Sequence, residues 1–441
     1  MNLTIKRGIY MGSLKIDPIK LKGEVKIPPS KSMAHRAVIC AALSSGVSKI
    51  ENIDYSEDII ATIEGMKTLG AVINKYDNYI EVQGMFNEGN KRESLRTIDC
   101  NESGSTLRFL VPISLLFNGI TRFTGKGNLG KRPLTTYYNI FEKQGIKYTA
   151  EDENLNLVVD GLIKSGKFEV EGNVSSQFIT GLMFTLPLLD GDSKIIITTE
   201  MESKGYIDLT LSAMKDFGIE IINNNYKEFI IKGNQNYNAR NYRVEGDYSQ
   251  AAFFLSADAL GSEVVLKDLD LNSLQGDKEV IEILERMNVE IIPIEDGIIG
   301  KAKSYLKAIV IDGSQCPDII PVLAVVSALT PGTTEIINSS RLRIKECDRL
   351  KAISTELIKL GAKIKETDDG LIIEGVKEFL GGVEVWSWND HRIAMSLAIA
   401  GTRCKNPIIL NDFECVSKSY PNFFEDYKNI GGEVNEWSMG K

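Results

Sequence analysis

The feature that most constrains this chain is a repeat. Six small, apolar segments, each opened by a polar, cap-rich run, end at Gly46, Gly119, Gly191, Gly261, Gly332 and Gly401; successive stops lie 73, 72, 70, 71 and 69 residues apart. A second series keeps the same phase. Amphipathic segments such as IEGMKTLGAVI, YNIFEKQGIKY and STELIKLGAKI stop at Gly70, Gly145, Gly218, Asn288, Gly361 and Gly431, with gaps of 75, 73, 70, 73 and 70 residues. Gly and Asn suit the left-handed stop that ends a helix. Short alternating strands such as EFIIKG and GLIIEG follow several of these stops. Two independent landmarks with one period mark a repeat architecture, here six copies of an α/β unit of about 70 residues.

The build of the unit predicts where chemistry collects. A helix apolar on nearly every face must be buried. The Ser, Thr, Asn and Asp residues before it accept hydrogen bonds from first-turn N–H groups. Such a helix presents a positively polarised N-terminus, and anions bind there. In CNESGSTLRFLVPISLLFN (100–118), Gly104 lies at the helix mouth and Arg108 is the only charge of the apolar run. Pro112 removes one helical hydrogen bond and predicts a kink.

Length and composition set the bounds. The 441 residues suffice for two or three domains, and six units divide naturally into two lobes of three, in the α/β (α+β) class. The net charge of −9 argues against nucleic acid as a general partner. Six cysteines without a CxxC pair fit a reducing cytoplasm. Two histidines and no ligand cluster argue against a metal site. No apolar run reaches the ~18 residues of a membrane span, and the N-terminal MNLTIKRGIYMGSLKIDPIK lacks the apolar core of a signal peptide.

Along the chain, cations recur at helix mouths, where they oppose the helix dipole unless an anion joins them. Lys31 and Arg36 flank the start of the first buried helix. GKGNLGKRP (125–133) has P-loop spacing, but Arg132 stands where a hydroxyl residue must hold magnesium, and Pro133 follows it. Pro133 suits the first position of the next helix, which puts Arg132 at its mouth. Ser175, Ser176 and Gln177 open the third buried helix, and Ser203 to Tyr206 precede an amphipathic one; both runs read as caps. Glu245-Gly246-Asp247 mark the turn best suited to a lobe boundary. Asp318 precedes a buried helix, where an Asp commonly caps. RLRIKECDRLKAI (341–353) is the most charged stretch, and its bland reading is a solvated helix face. Arg392 enters the sixth buried helix and Lys418 precedes the last amphipathic one. His35 and His391 each directly precede such an Arg and are expected to pack against the neighbouring turn.

Taken together, PSKSMAHRAVICAAL, GSTLRFL, GNLGKRPL, VSSQFITGLM, SKGYIDLTL, VEGDYSQAAFFL, KECDRL, NDHRIAMSLA and SKSYPNFF resemble the motif set of the 5-enolpyruvylshikimate-3-phosphate synthase family, in its order and over nearly the whole chain. The resemblance implies two lobes, each an inside-out α/β barrel of three repeats, joined by a two-strand hinge near 28–30 and 243–246. It further implies an N-terminal strand segment (1–29) that belongs to lobe two, a lobe one of 30–244 and a lobe two of 245–441. It implies transfer of the enolpyruvyl group of phosphoenolpyruvate to the 5-hydroxyl of shikimate 3-phosphate, with release of phosphate. No cofactor or metal is implied, nor any nucleic-acid or membrane partner. A cytoplasmic monomer is expected, with glyphosate as the family's inhibitor.

By the same resemblance, Lys31, Ser32, Arg36, Ser175, Ser176, Gln177, Ser203, Tyr206, Asp318 and Lys345 hold shikimate 3-phosphate. Lys31, Gly104, Arg132, Gln177, Arg349, Arg392 and Lys418 hold phosphoenolpyruvate, with Arg108 in support. Asp318 takes the proton of the attacking hydroxyl and Glu346 helps protonate the methylene, with Lys31 and Lys418 in the catalytic set. Such opposite duties require surroundings that push the two pKa values apart. The chain departs from the family pattern at Glu102, where Asn is common, and at Arg341, again in place of Asn. Two rival readings are the sister transferase acting on UDP-N-acetylglucosamine and a non-catalytic, two-lobed anion-binding protein. The sister family carries a reactive Cys where this chain has Gly127.

Overall fold

The computed structural model describes residues 12–86, 94–151, 155–303 and 305–437. The signal-peptide reading falls mainly on residues 1–11, outside the described residues. Helices alternate in kind along the chain. They are α1 (Lys31–Ala42) and α2 (Glu57–Thr68), α3 (Gly104–Ser114) and α4 (Thr135–Gln144), α5 (Ser176–Thr185) and α6 (Lys204–Asp216), α7 (Tyr248–Ala259) and α8 (Glu279–Arg286), α9 (Ile320–Ala328) and α10 (Arg349–Lys359), and α11 (His391–Gly401) and α12 (Phe423–Asn429). The odd-numbered helices are the apolar ones. Every residue of α7, α9 and α11 is buried.

Each unit closes one four-stranded sheet, and there are six such sheets among the described residues. In the second unit Leu95–Asp99 runs parallel to Ile120–Thr124, which pairs antiparallel with Asn156–Asp160 and through it with Lys147–Thr149. Three sheets borrow a strand from a distance. Tyr242–Arg243 joins Val47–Glu51, Lys22–Lys26 joins Glu263–Lys267, and Ser13–Ile16 joins Ile408–Asn411. Two cores result. One runs from Met33 to Val244; the other combines Leu14 to Ile27 with Tyr248 to Val434. The chain passes between them twice, side by side: the Ser30 N–H donates to the Glu245 carbonyl at 2.7 Å and the Asp247 N–H to the Pro28 carbonyl at 2.9 Å.

The two series of stops fare differently. All six of the second series, Gly70, Gly145, Gly218, Asn288, Gly361 and Gly431, have positive φ. In the first series Gly119, Gly261 and Gly332 do, whereas Gly46, Gly191 and Gly401 do not. Close approach keeps the latter small: a Cβ on Gly46 would lie 2.6 Å from Ala239 Cβ, and one on Gly401 3.0 Å from Ile16 Cγ2. Pro112 acts near the end of α3, which stops at Ser114. Its missing N–H frees the carbonyl of Arg108, four residues earlier. The Tyr137 hydroxyl of α4 donates to that carbonyl. Helix α4 begins at Thr135, so Pro133 stands before its cap Leu134 and not at its first position.

Candidate active site

The buried helices aim their N-termini at one cleft between the cores. Ser30, Ser103 and Ser175 cap α1, α3 and α5 from one lobe, each accepting from a first-turn N–H. Asp247 and Asp390 do the same for α7 and α11 in the other. Helix α9 is the exception: its cap is Ile319, with no side-chain bond. Asp318 is therefore not a cap, and its carboxylate faces the cleft.

The cavity there is lined by Lys31, Ser32, Arg36, Gly104, Arg108, Arg132, Ser175, Ser176, Gln177, Tyr206, Asp318, Lys345, Glu346 and Arg349, all singled out in the sequence. Asp58, Ser105, Arg341 and His391 join them. Ser203, Arg392 and Lys418 stand just behind this lining. Ser203, at φ 53°, accepts from Arg341 Nη1 at 2.8 Å. Arg392 lies 3.6 Å from Asp318 and donates to the Ser249 carbonyl and Oγ. Lys418 donates to Glu102 at 2.8 Å and to the Asn389 carbonyl at 2.7 Å.

Seven cationic side chains line the cavity against three carboxylates, Asp58, Asp318 and Glu346. The cleft is thus strongly cationic inside an acidic protein. Among the described residues, neither Arg36 nor Arg108 has a carboxylate at ion-pair distance. Arg36 donates to Thr210 Oγ1 and to the carbonyls of Ser32 and Tyr206; Arg108 donates to Gln177 Oε1 at 2.8 Å and lies over the Phe178 ring. Burial pushes Arg36 down to about 10 and Arg108, also facing Arg132, down to about 9. Both sites are short of negative charge.

Arg349 is the reverse. Its guanidinium meets Asp318 at 2.9 Å, Glu346 at 2.7 Å and Asp390 at 2.8 Å. Burial would lower its pKa, but these carboxylates outweigh it and raise it. Burial alone would raise Asp318, yet Lys345, Arg392 and Arg349 hold it well below the usual carboxylate range. Glu346 is held low in the same way by Arg349 and by Arg132. The two carboxylates are thus pushed in the same direction, not apart, because they share one arginine.

The charged run 341–353 divides. Arg341, Lys345, Glu346 and Arg349 face the cavity, whereas Arg343 pairs with Asp348 and Glu366 and holds the strand hairpin behind them. Asp58, which sequence reasoning missed, holds Lys31 Nζ at 2.8 Å. It sits in the first turn of α2, where an acid is ordinary, so nothing local marked it. His35 packs edge-on to Phe109 and bonds Thr62 Oγ1, but His391 lines the cavity. Burial keeps both imidazoles neutral by lowering their pKa. Among the described residues there is no group of metal-binding side chains, and no helix is long and apolar enough to cross a membrane.

A family model described as EPSP synthase (3-phosphoshikimate 1-carboxyvinyltransferase) matches residues 16–427. The chain belongs to the EPSP synthase family. It is 68% identical to a 3-phosphoshikimate 1-carboxyvinyltransferase of Clostridium beijerinckii, over 98% of this chain and all of that one. A relative of the same name from Clostridioides difficile is 65% identical over 98% of this chain and all of its own length. Among solved structures, EPSP synthase from Acinetobacter baumannii aligns with a TM-score of 0.81 and 25% identity, covering 97% of this chain and all of that one. The enolpyruvyl transferase NikO from Streptomyces tendae shares the fold, with a TM-score of 0.79 at 15% identity, over 97% of this chain and 99% of its own.

The departures from the EPSP synthase pattern have visible partners. Glu102 reaches across the cleft to Lys418. Arg341 likewise crosses it, to Ser203 and to Glu202 at 3.2 Å. Gly127 has φ +56°, and a Cβ there would lie 2.7 Å from the Glu102 carboxyl carbon. A side chain there would be strained by the left-handed backbone and would have to displace the Glu102 carboxylate.

Proposed function

We propose that this cleft carries out enolpyruvyl transfer from phosphoenolpyruvate to the 5-hydroxyl of shikimate 3-phosphate in a single cytoplasmic chain. One observation carries the reading of the site: helix N-termini and a surplus of cations from both lobes surround one cavity that also holds Asp318 and Glu346. The two substrates bring two phosphates and two carboxylates, which is the load such a site suits. Asp318, free of any capping role, is the base for the attacking hydroxyl. Glu346, once it has taken up a proton from solvent, delivers that proton to the methylene carbon. The resulting tetrahedral adduct then loses a methyl proton as its C–O bond to phosphate breaks, which restores the C=C double bond while the acceptor oxygen keeps its new bond to carbon.

The neighbouring cations keep both carboxylates ionised, so substrate binding has a second task. Anionic substrates engage Lys345, Arg392, Arg132 and Arg349 and relieve their pull on Asp318 and Glu346. Both carboxyls then become more basic, which Asp318 needs in order to accept a proton. The cations do the electrostatic work of stabilising the developing charge. The paired crossings at Pro28–Ser30 and Glu245–Asp247 serve as the hinge on which the lobes close. Gly127, which stands where the sister family carries its reactive Cys, favours this acceptor over the UDP-sugar.

Phosphate release from phosphoenolpyruvate, with each acceptor in turn, tests the reading. Release is expected with shikimate 3-phosphate and not with UDP-N-acetylglucosamine. The opposite preference overturns the acceptor, and no release with either leaves an anion-binding protein.

A further inference from the structure

Asp277 is a buried carboxylate that the transfer described above does not use. It lies in the short turn of 3-10 helix Gly276–Lys278, before α8, and is 5% exposed. Its Oδ2 accepts the Tyr206 hydroxyl at 2.8 Å, across the cleft from the other lobe. The same hydroxyl stands 3.3 Å from Asp318 Oδ2. The backbones meet here as well: a Cβ on Gly205 would fall 2.7 Å from the Cα of Gly276. Tyr206 is thus wedged between two carboxylates of the opposite lobe when the lobes are together.

A phenol has one proton, so it cannot donate to both. The shorter contact gives the proton to Asp277 and turns an oxygen lone pair toward Asp318. A lone pair facing an ionised carboxylate is unfavourable. It becomes a hydrogen-bond acceptor once that carboxylate is protonated. We propose that Asp277 is a positioning residue for the transfer: by holding the Tyr206 proton it makes Tyr206 an acceptor toward Asp318 and so strengthens Asp318 as a base. In the step this assists, the substrate O–H bond breaks and its proton forms an O–H bond on Asp318. The electron pair of the substrate oxygen goes to the enolpyruvyl carbon. Asp318 then donates its new proton as a hydrogen bond to Tyr206. Without the Asp277 charge, Tyr206 turns its proton to Asp318, stabilises the carboxylate and weakens the base.

The surroundings of Asp277 support a change of state near neutrality. Besides Tyr206, it faces Asp318, Asp247, Arg392 and Cys316. Its second oxygen, Oδ1, is buried with no hydrogen-bond partner. Burial and the Asp318 charge push its pKa up to about 7, against Arg392 and Tyr206. Below that pH Asp277 is protonated, and its proton can satisfy the phenol oxygen while the phenol donates to Asp318. The rate is therefore expected to fall as pH drops through this range.

The inference rests on Asp318 as the base, so Asp318→Asn is measured beside Asp277→Asn, Tyr206→Phe and the Asp277→Asn/Tyr206→Phe double variant, as kcat against pH with both substrates saturating. At pH 8, Asp277→Asn is expected to be slower by roughly ten- to a hundred-and-fifty-fold, the worth of an oriented hydrogen bond to a charged group. It should also lose the fall in rate on the acid side of neutrality. The double variant should be no slower than Tyr206→Phe alone, because Asp277 acts through that hydroxyl. Tm provides a control with its own sign. A carboxyl raised from 3.8 to about 7 costs stability as pH rises through that window, so at pH 8 the Asn variant should melt no lower than the parent. An unchanged acid limb in Asp277→Asn, or losses that add in the double variant, would overturn the inference. If Asp318→Asn keeps its kcat, the base assignment itself fails, and that result is distinguishable from the other two.

Discussion

Arg108 and Arg349 occupy comparable places in the two lobes and live under opposite electrostatics. Each is buried near the start of a helix and each lines the same cavity. Arg108 has a glutamine and an aromatic ring for partners, and its pKa is pushed down. Arg349 has three carboxylates, and its pKa is pushed up. The first lobe thus stores uncompensated positive charge at Arg36 and Arg108, while the second stores an ion-pair web that contains Asp318 and Glu346, the proposed base and acid. The difference teaches how one fold, built of one repeated unit, divides holding from chemistry.

If that division is right, the largest effect belongs to the web. Asp318→Asn keeps the size of the side chain and removes the base, so kcat should fall by ~10²–10⁴. Shikimate 3-phosphate binding should survive, as a calorimetric titration would report. A kcat within a few-fold of the parent would leave Asp318 as a structural partner of Arg349 only.

Next comes a pair of substitutions that should differ in stability. Arg349→Met strands the fully buried Asp390 and takes a shared partner from Asp318 and Glu346, and should cost about 3–5 kcal/mol in a denaturant melt. Arg108→Met strands none, and its buried Nε already lacks a partner. Its stability should stay within about 1 kcal/mol of the parent, while the KM for phosphoenolpyruvate rises. Equal losses of stability would erase the contrast between the lobes.

The smallest effect sharpens the first lobe. A Cβ on Gly104 would come 2.7 Å from Arg132 Nη1 and 3.1 Å from Arg108 Nη1, at the mouth of α3. An added methyl in a filled site costs roughly 1–3 kcal/mol, which is about five- to a hundred-and-fifty-fold in affinity. Gly104→Ala should raise the KM for phosphoenolpyruvate, leave that for shikimate 3-phosphate nearly unchanged, and weaken glyphosate inhibition more. Equal weakening of both substrates would argue that the methyl disturbs the helix mouth as a whole.

What could be read from the chain follows from range. The stops Gly70 through Gly431 are local backbone requirements, and all six take the left-handed conformation the sequence implies. Gly46, Gly191 and Gly401 obey tertiary packing instead, which no local pattern records. The cations at the helix mouths were legible because they violate the dipole rule. Asp58 obeys it and stayed hidden. Asp277 was hidden for a different reason: its partners, Tyr206 and Asp318, lie 71 and 41 residues away, the former in the opposite lobe. Within 341–353, composition could not tell Arg343, which braces a hairpin, from Arg349, which holds Asp318 and Glu346.

The borrowed strands bear on how the chain is made. The lobe built on Met33 to Val244 has all its parts once Tyr242–Arg243 leaves the ribosome. Ser13–Ile16 and Lys22–Lys26 are synthesised first, yet their partners are Ile408–Asn411 and Glu263–Lys267. Asn411 follows Ile16 by 395 positions, roughly 20–80 s of synthesis at ordinary rates. Through that interval the first strand of the nascent chain has no edge to join, and an unpaired strand is an invitation to aggregate. Strand Ser13–Ile16 is therefore made early and placed among the last.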